Sequence, residues 1–291
     1  MKFTAAAVQI APIKADVSAN LTRIGQAIQR CCEESVDLAL FPETALTGYF
    51  LEGGVVDAAV STLELAAMLD TTYKPDRPID VVLGFYERSA GNIYNSACHF
   101  SGTSEGWKVV HTHRKFFLPT YGVFDEERFV ARGRDISAYE TRFGRFAMLI
   151  CEDVWHSVSA TIAALKGAQV ICAISASPAR GFSGDTYDNL DHYRRLLRAI
   201  AEEHGVWVVN SMLVGFEGGK GFSGGSMVVS PNGRIVAEGP ELEEHFLIAE
   251  VDMDQIGIAR QRFPALADLK SVLEDVVREF EEVNRDECQQ K

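Results

Sequence analysis

No stretch of the sequence strings together the roughly 18–20 apolar residues that cross a bilayer as a helix, so no membrane-spanning helix is expected. The opening segment, MKFTAAAVQIAP, carries one lysine and a short apolar run. It lacks the longer apolar core and small-residue cleavage site of a secretory signal, and it reads as a strand. Basic residues are scarce: 28 Lys and Arg stand against 41 Asp and Glu, a formal charge of −13. A surface of that sign repels phosphate backbones and anionic lipid, which argues against nucleic acid or membrane as a partner. None of the six cysteines forms a CxxC pair, and most sit in apolar runs. That pattern fits reduced thiols in a cytoplasmic protein better than a disulfide framework. Linkers rich in Pro, Gly and Ser, repeats and low-complexity tracts are also missing.

What is present, 291 residues at 47% hydrophobic and 24% charged, is ordinary for a globular chain. Segments rich in Val, Ile and Phe read as strands at 3–10, 37–41, 80–86, 93–100, 107–113, 145–150, 169–175, 206–212, 226–230, 234–238 and 246–251. Leu21, Ile24, Ile28 and Cys31 share one helical face, as do Leu190, Tyr193, Leu197, Ile200 and Ala201, with Gly205 as a stop. A shorter helix runs from Ser157 toward Gly167, and an amphipathic one is expected over 268–283. Alternating elements without a linker imply an α/β domain. Many strands for few helices imply two packed sheets with helices outside. Residues 1–265 are expected to hold this domain and 266–291 a helical extension of it.

Three reactive side chains stand just past expected strands: Glu43 in LALFPETALTGY, Lys115 in VVHTHRKFFLP and Cys151 in FAMLICEDVW. In α/β sheets, loops converge and ligands bind at the carboxyl ends of strands. A cysteine of ordinary pKa, about 8.5, needs help to attack near neutral pH. Glu43 suits the base that takes the thiol proton and later hands it to departing ammonia. Lys115 suits the developing oxyanion. A lone cysteine in an apolar run is more often packing, and a lone Lys or Glu past a strand is more often solvated. The weight lies in the set and its flanks.

Those flanks resemble the nitrilase, or carbon–nitrogen hydrolase, superfamily. FPETALTGY is similar to its glutamate motif, HRKFFLP to its lysine motif and LICEDVW to its cysteine motif, in the superfamily's order. GGSMVVSPNGRIVAE is similar to its late hairpin. The resemblance implies a four-layer α-β-β-α sandwich, no cofactor, a homodimer or higher homo-oligomer, and a Glu43–Lys115–Cys151 triad. It further implies a second glutamate that orients the lysine: Glu126 in VFDEERF, with Glu127 as the alternative.

Within the superfamily, CEDVW and KFFLPTYGVFDEERF most resemble the glutaminase domain of glutamine-dependent NAD synthetases. That likeness implies Tyr121, Glu152 and Ser177 as substrate contacts. A carboxylate at Glu152 suits a cationic α-amino group, and its backbone N–H suits the oxyanion. No nucleotide-binding loop follows residue 265. GFEGGKGFSGG (215–225) lacks the P-loop spacing and reads as a flexible loop at the edge of the site. The expected activity is hydrolysis of a small amide through a cysteine thioester. The alternatives are an ammonia-supplying subunit of a separate synthetase or ligase, and a nitrilase or N-carbamoyl amine hydrolase. Loops 50–76, 178–188 and 215–225 are expected to shape the pocket.

His111 and His113 point to one face of a strand, but a metal site needs three or four converging ligands and no third pair has the spacing. No metal is expected. Trp155 either lines the pocket or fills the core, and Cys172 reads as core. His156 is expected to start or cap the following helix rather than act as a base, and Asp153 to cap a helix beginning near Trp155.

Overall fold

Phe3, Ala5 and Ala7 alternate along the first strand with Ala6 and Val8, and both sets are buried. A strand buried on both faces must lie between two layers. Phe3, Ala5 and Ala7 belong to one apolar cluster, while Ala6 and Val8 belong to another that includes Ile24 and Ile28 of the first helix.

The computed structural model describes residues 1–179, 182–183 and 186–289. In chain order, β1 (Lys2–Gln9) is followed by α1 (Val17–Glu33), β2 (Leu38–Leu40), α2 (Val55–Ala58) and α3 (Thr62–Thr72). Then come β3 (Ile79–Ser89), β4 (Asn92–Thr103) and β5 (Gly106–Arg114). The second half opens with β6 (Ala138–Thr141), β7 (Gly144–Ile150), α4 (Glu152–Trp155), α5 (Ser157–Leu165) and β8 (Val170–Ser175). After β9 (Phe182–Ser183) and β10 (Thr186–Tyr187) come α6 (Asp188–His204), β11 (Trp207–Met212), β12 (Val214–Glu217) and β13 (Lys220–Ser223). The chain continues through β14 (Met227–Val229), β15 (Ile235–Glu238), β16 (His245–Asp252), α7 (Asp254–Arg262), α8 (Ala265–Ser271) and α9 (Leu273–Gln289).

One six-stranded sheet has the order β16-β1-β2-β3-β4-β5 and the other β15-β14-β11-β8-β7-β6. Each has a parallel centre, β1-β2-β3 in the first and β7-β8-β11 in the second. The remaining pairings are antiparallel. Between the sheets lies a core of Phe3, Leu38, Leu40 and Val82 from one side and Phe146, Ile150, Cys172 and Val209 from the other. Outside the first sheet, Ile24, Ile28, Leu65 and Leu69 of α1 and α3 pack on Val81 and Phe85. Outside the second, Ala160, Tyr193 and Leu197 of α5 and α6 pack on Leu149, Ile171 and Val208. Burying each Leu or Ile contributes about 1.5–3 kcal/mol. The result is the four-layer α-β-β-α sandwich.

This topology gathers the candidates. β5 is separated from β3 by one antiparallel strand, so it runs in the direction of β2 and β3. The carboxyl ends of β2 and β5, which precede Glu43 and Lys115, therefore meet at one edge. Gly84 on β3 lets the chain after β2 approach: a Cβ there would sit 2.4 Å from the Pro42 carbonyl and 2.7 Å from Glu43 Cα. Any other residue at 84 would push the Glu43 loop away from the sheet.

Three expectations are corrected. Residues 215–225 are mostly a β-hairpin: β12 and β13 are joined by Gly218 and Gly219, both at positive φ (56° and 77°), the geometry that two-residue hairpin turns need. The single helix expected over 268–283 breaks between α8 and α9, where Ser271 donates its hydroxyl to the Asp268 carbonyl and Val272 sits at φ −116°, ψ 13°. Within the expected loop 50–76, α3 is a full helix held by a capping box between Ser61 and Glu64. Residues 180, 181, 184 and 185 of the expected pocket loop 178–188 lie outside the described residues. No described helix is long and apolar enough to cross a membrane.

Candidate active site

Glu43 is fully buried. Its Oε1 accepts from Lys115 Nζ at 2.7 Å and Asn95 Nδ2 at 2.8 Å, and its Oε2 accepts the Ala176 N–H at 2.7 Å. Ala176 follows β8, so this last bond ties the first sheet's loop to the carboxyl edge of the second. A carboxylate oxygen has two acceptor directions. Oε2, with one partner among the described residues, keeps capacity for another proton.

Lys115 is also fully buried. It donates to Glu43 Oε1 and, at 2.8 Å, to Glu126 Oε1. Burial alone would lower its pKa, but the flanking carboxylates Glu126 and Glu43 outweigh that and hold it well above the ordinary lysine range. Glu126 is placed by the tight turn 126–128, and the Tyr49 hydroxyl donates to its Oε1. Burial pushes the Glu126 carboxyl up, with Lys115 opposing. Glu127 is exposed and takes no part in this cluster.

Cys151 follows β7 at φ 46°, ψ −96°, a backbone conformation that non-glycine residues adopt at a cost of about 1–3 kcal/mol. Its N–H donates to the Ile174 carbonyl of β8 at 2.9 Å, which fixes the turn. The side chain is buried, and the Tyr193 hydroxyl donates to Sγ at 3.4 Å. Burial raises the thiol's pKa well above the usual range, Glu43 adds to this, and Lys115 opposes it.

Asp153 does not cap a helix from outside. α4 begins at Glu152, with Cys151 in the cap position. Asp153 is instead a buried staple. Oδ1 accepts the N–H groups of Phe116 and Phe117 at 3.0 and 2.9 Å. Oδ2 accepts the Ile150 N–H at 3.1 Å and faces His113 Nε2 at 2.9 Å. A carboxylate only accepts, so Nε2 carries the proton. The loops bearing Lys115 and Cys151 are thus joined through one side chain. Asp153→Asn replaces one oxygen by an amide that faces two donors. It should destabilise the fold by about 1–3 kcal/mol in denaturant titration and lower turnover about tenfold or more by loosening the geometry.

Tyr121, on the loop after Lys115, reaches Glu152 with its hydroxyl 3.0 Å from Oε2. His156 stacks on Phe117 at 3.9 Å and lies 3.6 Å from Glu152. It occupies the position before α5 but makes no capping bond with its side chain. Ser177 is buried and accepts from Asn189 Nδ2 at 3.0 Å. Trp155 is half-buried, stacks on His192 at 4.1 Å and meets Tyr193 edge-on at 5.6 Å, so it lies at the margin of the outer core. Cys172 is core. His111 stacks on Tyr139 at 4.3 Å. Among the described residues, no three His, Cys, Asp or Glu converge as a metal site. Beside Glu126, a cavity of about 260 Å³ is lined by Tyr49, Phe50, Tyr86, Phe124, Phe129 and Lys220, among others.

Sequence reasoning did not single out Asn95, Tyr49 or Tyr193 for this cluster. Tyr49 closes the FPETALTGY segment and carried a signal by proximity. Asn95 and Tyr193 lie inside a strand and a helix whose patterns speak only of packing.

The family model for carbon–nitrogen hydrolases matches residues 4–261. A glutamine-dependent NAD(+) synthetase of Thermotoga maritima is 28% identical over 251 residues, 85% of this chain and 42% of that protein. The chain thus spans less than half of that relative's length. An (R)-stereoselective amidase of Pseudomonas sp. is 31% identical over 274 residues, 91% of each chain. The crystal structure of a carbon–nitrogen hydrolase from Helicobacter pylori superposes with a TM-score of 0.79 at 22% identity, covering 92% of this chain and 95% of that one.

Proposed function

The chain belongs to the carbon–nitrogen hydrolase family, and from that premise we propose that it cleaves the C–N bond of a small amide through a thioester on Cys151, releasing ammonia. The observation that carries this reading is the buried Glu43–Lys115 pair, bonded at 2.7 Å and tied by the Ala176 N–H to the sheet edge that bears Cys151. Glu43 takes the thiol proton as the sulfur attacks the carbonyl carbon. The C=O π pair moves onto oxygen. Among the described residues, two of the three Lys115 protons are taken by Glu43 and Glu126, which leaves the third for that oxyanion. The Glu152 N–H at the start of α4 is the second donor in this reading. Protonated Glu43 then gives its proton to the nitrogen as the C–N bond breaks. Water, deprotonated by the same carboxylate, cleaves the thioester and returns the proton to sulfur.

A second reading, a glutaminase-type ammonia supplier for a separate synthetase or ligase, is favoured by the Tyr121–Glu152 pair, which offers a carboxylate to a substrate ammonium. Assaying ammonia release from amides, carbamoyl amines, nitriles and glutamine separates the readings. Turnover of simple amides by the isolated chain supports the first. Turnover confined to glutamine, or absent until a synthetase is added, supports the second. Release from nitriles or carbamoyl amines alone contradicts both. The same reading includes self-association, for which α9 leaves Val277, Phe280 and Val283 exposed.

A further inference from the structure

Tyr193 reads in the sequence as one more apolar step on the inner face of α6, and its ring does pack there, fully buried among Leu190, Leu197 and Ala163. Phenylalanine would fill the same space without bringing a hydroxyl into the core. A buried phenol needs partners: Ser175 and Trp155 bond to its oxygen, and the hydroxyl itself donates to the Cys151 sulfur at 3.4 Å. Glu43 and Lys115 reach the site from the first sheet, whereas Tyr193 comes from the outer helical layer of the second.

We propose that Tyr193 is a further catalytic residue, whose hydroxyl donates to the Cys151 sulfur and stabilises the thiolate as it attacks and again as it leaves. This rests on the reading of Cys151 as nucleophile. A neutral thiol is a weak acceptor, whereas a thiolate receives a charge-assisted bond. The contact therefore strengthens as charge develops on sulfur, which is the condition for lowering a barrier. Burial and the Glu43 carboxylate both oppose that charge, and Lys115 offsets them in part. Tyr193 supplies a second offset at the atom itself. Its own proton stays in place: burial and the neighbouring Cys151 push the phenol's pKa well above its ordinary value. The thiol proton goes to Glu43, no bond to hydrogen breaks at Tyr193, and when water cleaves the thioester the sulfur leaves toward the same donor.

The test is Tyr193→Phe. The pH dependence of Cys151 alkylation by iodoacetamide, followed by peptide mass, should move its midpoint up by about one unit, with kcat/KM about tenfold lower and Tm unchanged or higher. A mere packing role would leave the alkylation midpoint where it was. A folded Tyr193→Phe protein with unaltered midpoint and kcat/KM overturns the proposal. If that variant does not fold, 3-fluorotyrosine placed at 193 in the otherwise unaltered chain replaces it. Its fluorine resonance should follow the Cys151 titration and lose that dependence in Cys151→Ala; a resonance indifferent to Cys151 overturns the proposal. A fully active Cys151→Ala protein would refute the nucleophile reading itself, whereas a neutral Tyr193→Phe beside an inactive Cys151→Ala refutes this inference alone.

Discussion

Replacing Cys151 by alanine removes ammonia release, by about 10⁴-fold or more, while the protein stays folded. The two halves of that outcome have separate physical grounds. Only sulfur is lost at the proposed centre of the reaction, and neither Glu43 nor Lys115 offers a comparable nucleophile. The backbone turn at φ 46° is held by the Cys151 N–H bond to Ile174 and by Asp153, neither of which needs the thiol. Alanine fills most of the same space, so the loss of stability should stay near the about 1 kcal/mol typical of point changes. Cys172 provides the contrast. It lies on β8 in the inter-sheet core, with its thiol pushed up by burial and nearby Asp80. Cys172→Ala should cost stability and leave kcat nearly intact. Steady-state ammonia release and thermal melting of both variants check the pair. Activity surviving in Cys151→Ala would contradict the thioester route.

Lys115→Met should have the second largest effect, on stability and activity together. The ammonium lies between two buried carboxylates, Glu43 and Glu126. Taking away one partner of a buried ion pair leaves uncompensated charge, at a cost of about 3–5 kcal/mol. The loss has a defined pH dependence. Glu126 is already raised by burial, and Lys115 is the largest influence opposing that rise. Without Lys115 its folded pKa climbs further above the unfolded value. The folded state then binds the proton first, so stability is greatest below the unfolded carboxylate value and falls as pH rises through the window up to the folded one. The deficit against the unsubstituted protein should therefore be smallest in acid and grow toward neutrality. Adding Glu126→Gln should restore part of the stability, because one of the stranded charges disappears. Turnover should remain down by about 10²–10³-fold if Lys115 is the oxyanion donor proposed above. Urea denaturation at pH 5 and pH 7.5 measures the first effect and kcat the second. A deficit against the unsubstituted protein of the same size at both pH values would refute the electrostatic account.

How much of this was legible in the sequence depends on how local each signal is. The strand at 3–10 announces itself through continuous small and branched apolar residues, because both of its faces are covered. Glu43, Lys115 and Cys151 were visible as reactive groups after strands, each with distinctive neighbours. Their convergence was not visible from spacing. It follows from β5 running in the direction of β2 and β3, and from the Ala176 N–H bridging the sheets. The hairpin at 214–223 was legible in Gly218-Gly219, and α3 in Ser61-x-x-Glu64, yet apolar periodicity alone passed over both. Asp153 was misread because a carboxylate beside a helix start usually caps it. Here its partners lie 36 to 40 residues away on the Lys115 loop and strand, as well as at Ile150. Asn95 and Tyr193 could not be seen at all. In β4 and α6 they obey the local pattern, and only the tertiary fold sets one against Glu43 and the other against Cys151.

The proposed reaction passes through a covalent acyl-enzyme on one sulfur. Its most direct test is rapid acid quench of the protein during turnover of an amide substrate, followed by intact mass and peptide mapping. The expected result is a mass increase equal to the substrate's acyl group less one hydrogen, carried by the peptide containing Cys151 and absent from Cys151→Ala. Turnover that proceeds with the adduct on another residue, or at an undiminished rate in Cys151→Ala, would contradict it.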